Sequence, residues 1–216
     1  MTMNATTRVM TVVGGAVLIF SGVWRVQTDS SPSNPPVTAP PETFFELVSE
    51  RDRDVARQFY RKYIDVKGMP VVAASEVADR ALQRTYSIVT HLLAGRPDVI
   101  EAMVKNRMYL IIIGKDQVYT DMPEYRHHPN PAYQNERVRG TGGKPTSFGE
   151  ENLLNLPMDR YDDESIGVHE FCHTIDGTLR RLDPTWENRR SAAALSRRNS
   201  PIRAPPAVNG TTRAGS

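Results

Sequence analysis

Cysteine is nearly absent from this chain. Its single copy, Cys172, excludes any intrachain disulfide. Charge of one sign is also scarce overall. Lysine and arginine exceed the acidic residues by only 2, and the excess sits near the C-terminus, so no nucleic-acid partner is expected. No Asp, Glu, His or Cys follows Glu187, so nothing beyond that point can supply a metal ligand of the common types. Val9 to Trp24 holds no charged residue. No internal repeat is visible, which excludes a solenoid. With 216 residues, 39% of them hydrophobic and 24% charged, the chain has room for one modest domain with polar extensions.

The uncharged run Val9–Trp24 follows Arg8 in the order of a signal peptide, and no clean small-x-small cleavage site follows it. As a helix it would span about 24 Å, somewhat short of a ~30 Å hydrocarbon core. Residues 1–26 therefore read as a signal peptide or an N-terminal membrane anchor, with the bulk of the chain outside the cytoplasm. Residues 27–42 contain Pro32, Pro35, Pro36, Pro40 and Pro41 among serines and read as an extended linker. The folded domain is expected over 43–187. Residues 188–216 carry six arginines, no acid and almost nothing large and apolar. They read either as a basic disordered tail or as a changed reading frame after about Arg189.

The strongest feature is His169-Glu170-Phe171-Cys172-His173, an H-E-x-x-H motif. Two imidazoles four residues apart stand one turn apart on one side of a helix, where both can bind one zinc ion. The glutamate after the first histidine is then placed to take a proton from water. The chain has only five histidines, and two fall here. Val168, Cys172, Ile175 and Leu179 recur at helical spacing and are expected to form the apolar face. Cys172 is thus expected in the core, pointing about 100° away from His173. Asp162, Asp163, Glu164 and Ser165 suit a helix N-terminus, and Gly177 is a stop signal.

Elsewhere Phe44–Tyr63 has helical spacing, and Val71-Val72-Ala73 is a short strand. Ser75–Leu93 is a helix capped by Ser75, and Asp98–Lys105 is a shorter one. The β-branched run Tyr109–Ile113 is a buried strand. Gln117–Lys144 is a long loop, and Ser147–Leu156 is extended. The fold class expected is α+β, mostly helical, with a small mixed sheet and an H-E-x-x-H helix.

Four segments occur in a telling order: Tyr119-Thr120-Asp121-Met122-Pro123-Glu124-Tyr125, Arg139-Gly140-Thr141-Gly142-Gly143, Gly149-Glu150-Glu151-Asn152-Leu153-Leu154, and the Val168–Ile175 helix. This order resembles a group of bacterial secreted proteins within the gluzincin-type zinc metallopeptidases, over roughly Phe59 to Trp186. The resemblance implies a zincin-like zinc hydrolase and no particular substrate. It also implies a third zinc ligand, a glutamate on a later helix in a Trp-Ala-Glu-like stretch, and this chain has no such stretch.

Glu187 is the last acidic residue and the first candidate for the missing ligand; His127 and His128 are weaker ones. Asp176 is placed to orient a histidine or to carry helix surface charge. Glu150 and Glu151 read as cleft-border or exposed strand residues, and Arg139 among glycines reads either as holding a carboxylate or as solvated. Tyr125 and Tyr161 are candidates to stabilise an oxyanion. The function expected is zinc-dependent hydrolysis of a peptide or protein outside the cytoplasm, impaired if the third ligand is missing. The alternative is a non-catalytic, envelope-anchored domain on a degenerate zincin scaffold.

Overall fold

The computed structural model describes residues 35–161 and 164–199, together with Val12–Val13 and Ala16–Val17. The chain divides into two units, Met1–Ser33 and Asn34–Ser216. In the first, strands β1 (Val12–Val13) and β2 (Ala16–Val17) pair antiparallel. At these four positions strand pairing replaces the expected helix. The rest of the uncharged run, and the linker up to residue 34, lie outside the described residues. No helix among the described residues is long and apolar enough to cross a membrane.

The second unit begins with helices α1 (Glu42–Phe45) and α2 (Glu50–Phe59). Strands β3 (Lys62–Val66) and β4 (Met69–Ala73) form an antiparallel hairpin. Its turn holds Lys67 at φ 54° and Gly68 at φ 89°, a left-handed pair that suits a two-residue hairpin. Helices α3 (Asp79–Leu92) and α4 (Pro97–Lys105) then cross to strand β5 (Leu110–Ile113), which runs parallel to β4. A 3-10 turn (Tyr119–Asp121) and helix α5 (Pro131–Arg137) lead to strand β6 (Thr146–Gly149), parallel to β5. Three helices end the described chain: α6 (Glu150–Leu153), α7 (Ile166–Leu182) and α8 (Trp186–Asn199). The sheet order is β3-β4-β5-β6, so the architecture is mixed and agrees with an α+β class.

Both faces of the sheet are covered. Val71, Ala73, Leu110, Ile112 and Phe148 join the core beneath α3, α4 and α7. Val72, Tyr109, Ile111 and Ile113 join the opposite core with Phe44, Phe45, Val48 and Tyr60. The period-two alternation along β5 divides its residues between these cores, and burial on both sides explains its uninterrupted apolar run.

Several boundaries differ from those expected. The helical stretch Phe44–Tyr63 is two helices followed by β3, because Lys62–Val66 alternates in a way that suits an edge strand. Thr38 bridges Tyr63 and Val37 packs on the core, so the domain starts inside the Pro-rich segment. Ala78, not Ser75, precedes α3, and the Ser75 hydroxyl donates to Glu76 instead. The long loop contains a 3-10 turn and α5, and Ser147–Leu156 is strand up to Gly149, helix over Glu150–Leu153 and irregular after it. The tail expected from residue 188 is helical to Asn199; residues 200–216 lie outside the described set.

One carboxylate on the α1–α2 side gives a pH test. Glu124 accepts hydrogen bonds from the hydroxyls of Tyr60 (2.5 Å) and Tyr109 (2.8 Å). Burial pushes its carboxyl above the ordinary value of 4.5, and Asp52 adds to the rise. The folded chain therefore holds this proton to higher pH than the unfolded chain. Stability from the neutral form is present below the ordinary value and is lost as pH rises through the raised one. We expect the urea midpoint to fall with rising pH across that window, and Glu124→Gln to flatten the fall. Equal slopes in both proteins would assign the effect to another group.

Candidate metal centre

Helix α7 begins at a well-held N-terminus. Ser165 Oγ accepts from the amide of Val168 at 3.4 Å. Asn152 reaches across from α6. Its Oδ1 accepts from the amide of Ile166 and its Nδ2 donates to the carbonyl of Glu164, each at 2.8 Å. The helix passes through Gly177 and ends at Asp183, held extended before Pro184. Gly177 thus fails as a stop because the chain beyond it still packs: Thr178 and Leu179 are buried.

The buried stripe of α7 is only partly the expected one: Leu179 is buried as expected. Gly167, Phe171, Thr174 and Thr178 face inward, and Val168 and Ile175 are only partly buried. Cys172 is exposed, which corrects its core placement. The threonines can occupy the core because their hydroxyls find partners. Thr178 donates to the carbonyl of Thr174 at 2.9 Å, and Thr174 lies 2.5 Å from the Thr146 hydroxyl.

His169 and His173 stand together on the exposed face. Their Nε2 atoms are 3.0 Å apart, and their ring centroids 4.8 Å. Two nitrogens bound to one tetrahedral zinc at about 2.0–2.1 Å lie about 3.3 Å apart, so the pair suits one ion with a slight opening. On the far side of the first ring, Nδ1 of His169 lies 2.6 Å from Glu164 Oε1. The two histidines line a cleft of about 510 Å³ with Glu164, Val168, Cys172, Asp176 and Arg190.

Glu170, about 100° around the helix from His169, lies beneath the segment Arg139–Gly143. That segment is the outermost edge of the sheet: Thr141 bridges Ser147 beside β6. The amide of Gly142 donates to Glu170 Oε2 at 2.5 Å. Gly142 is a glycine for reasons of space. A Cβ there would lie 2.8 Å from Cβ of His173 and 2.9 Å from the Glu170 carbonyl oxygen.

The G-E-E-N segment sets this geometry from within the fold. Glu150 and Glu151 are 4% and 3% exposed, not cleft-border residues. Glu150 accepts from the amides of Ala78 (2.7 Å) and Lys115 (2.9 Å). Glu151 takes a bidentate grip from Arg139, with Nε at 2.6 Å and Nη2 at 2.7 Å. Arg139 is therefore buried rather than solvated, and its guanidinium also donates to the carbonyls of Gly114 and Gln117.

The remaining candidates are engaged elsewhere. Asp176 accepts from Trp186 Nε1 (2.7 Å) and Arg180 Nε (2.8 Å); these bonds hold its carboxyl below the ordinary range. Glu187 pairs with Arg180 at 2.9 Å and Arg190 at 2.6 Å. Both acids thus clamp α8 onto α7. Among the described residues no third His, Cys, Asp or Glu joins the two histidines in a group able to hold a metal. Tyr161 donates to the Arg137 carbonyl, and Tyr125 stacks on Tyr119 at 4.2 Å. His128 packs edge-on against Tyr119, and His127 lies 3.9 Å from Asp52. Motif reading missed Glu164, Asn152 and Gly142, although all three lie in or beside segments it singled out.

Compared with known proteins, the chain matches no family description, no curated protein and no solved structure.

Proposed function

We propose that this chain is a zincin-like, zinc-dependent peptide hydrolase acting outside the cytoplasm, with His169 and His173 as metal ligands and Glu170 as general base. The observation that carries the reading is the pair of facing Nε2 atoms, 3.0 Å apart in an open cleft one turn along α7. A zinc ion held by His169 and His173 would supply a Lewis acid there, able to polarise a carbonyl and acidify water. Glu170 then takes a proton from the attacking water and passes it to the leaving amine. The amide of Gly142 holds Oε2 of that carboxylate, which leaves Oε1 to carry the proton. The extracytoplasmic setting rests on the uncharged run after Arg8.

The second reading, a non-catalytic domain on the same scaffold, draws on the α7–α8 clamp. Asp176 and Glu187 are both bound to arginines, so the metal would have two protein ligands among the described residues. Glu170→Gln separates the readings. In a hydrolase it lowers peptide cleavage at least ~100-fold with zinc still bound, since an amide cannot take the proton. Unchanged turnover would assign the base elsewhere. Zinc binding without cleavage by the wild type would favour the non-catalytic reading.

A further inference from the structure

Glu164 has no place in the H-E-x-x-H pattern, yet its carboxylate meets the ring of His169 at 2.6 Å. Its backbone is fixed on both sides. The amide donates to the Tyr161 carbonyl at 2.6 Å, and the carbonyl accepts from Asn152 Nδ2 at 2.8 Å. Asn152 also holds the first helical amide, at Ile166. One side chain from α6 thus sets both the start of α7 and the residue whose carboxylate reaches the first histidine.

A carboxylate only accepts, so the contact places the hydrogen of His169 on Nδ1 and leaves the lone pair on Nε2. That lone pair points at His173, whose Nε2 is 3.0 Å away. Without metal, the second ring must donate Nε2–H into it. The two histidines then hold opposite tautomers, and only the first is preset to bind.

We infer that Glu164 is a positioning residue for the metal centre, which holds His169 as the Nδ1–H tautomer with Nε2 presented to the ion. The inference rests on the zinc reading for its consequence, but not for its geometry. Carboxylates that orient a metal-binding imidazole change affinity about 10–100-fold when removed. A contact as open as this one, with side chains 45% and 54% exposed, adds little to stability. A structural role and a positioning role therefore differ in what they move.

The test uses the full chain and zinc alone. Nitrogen-15 NMR of the metal-free protein should show His169 as Nδ1–H and His173 as Nε2–H. In Glu164→Ala the His169 preference should disappear, and the zinc Kd should rise about 10–100-fold, with the urea midpoint unchanged. Glu164→Gln, whose amide oxygen still accepts, should keep the tautomer and recover part of the affinity. A wild-type His169 in the Nε2–H form, or equal zinc Kd in Glu164→Ala and wild type, would overturn the inference. If the wild type binds no zinc, the zinc reading fails by itself. The His169 tautomer in wild type against Glu164→Ala then decides the role of Glu164 alone.

Discussion

Replacing His169 with alanine is expected to strip zinc from the protein. On the proposed zinc reading His169 and His173 are the ligands, no third residue joins them among the described residues, and the variant keeps one. Loss of an outer-shell partner alone costs about 10–100-fold in affinity, so loss of one of two direct ligands should exceed ~100-fold. The ring is 45% exposed and belongs to no core cluster, so the fold should survive. Metal analysis after dialysis, with circular dichroism as the control, makes the comparison. Equal zinc in the two proteins would remove the metal centre from consideration.

The second large effect is on stability. Arg139→Ala should cost about 3–5 kcal/mol, because it leaves the buried carboxylate of Glu151 without its partner. A domain of this size has only about 5–15 kcal/mol in total, so the loss should take a large share of it. The guanidinium also ties the carbonyl of Gly114, just past β5, to the edge segment, so its loss loosens both. Urea denaturation of the single variant and of Arg139→Met/Glu151→Leu gives the answer. The double variant should recover much of the loss, since apolar replacement removes the stranded charge. A single-variant loss below ~1 kcal/mol would show that the pair does not anchor the edge.

What could be read from residues alone was the part whose cause is local. The spacing of His169 and His173, the Ser165 cap and the apolar run of β5 depend on neighbours within a turn or a strand. Strand β3 was hidden because it follows α2 after two residues and shares its mixture of apolar and charged side chains. Helix α8 was hidden because it has almost no apolar face; a Trp186–Asp176 hydrogen bond and arginine pairs hold it. The inward face of α7 was misread because Thr174 and Thr178 look polar until their hydroxyls are paired. Glu150 shows the limit most clearly. The amides that satisfy it belong to Ala78 and Lys115, 72 and 35 residues away, and nothing local to Glu150 announces them.

Helix α6 bears on how such a protein can change its length. Three consecutive side chains grip four different places: Glu150 the α3 start and the turn after β5, Glu151 the edge arginine, Asn152 the head of α7. Each residue added to a helix rotates the side chains after it by about 100°. A single insertion or deletion between Glu150 and Asn152 would therefore aim at least one of these side chains at the wrong partner, and no substitution nearby would restore it. The stretch between Leu153 and Ser165 is tied differently: Asn152 sets the head of α7 from the far side of it, while Asp159, Tyr161 and Glu164 within it carry hydrogen bonds of their own. Descendants of this chain can change the length of that stretch only where Glu164 keeps its hold on His169, whereas the tetrapeptide before it must keep its count.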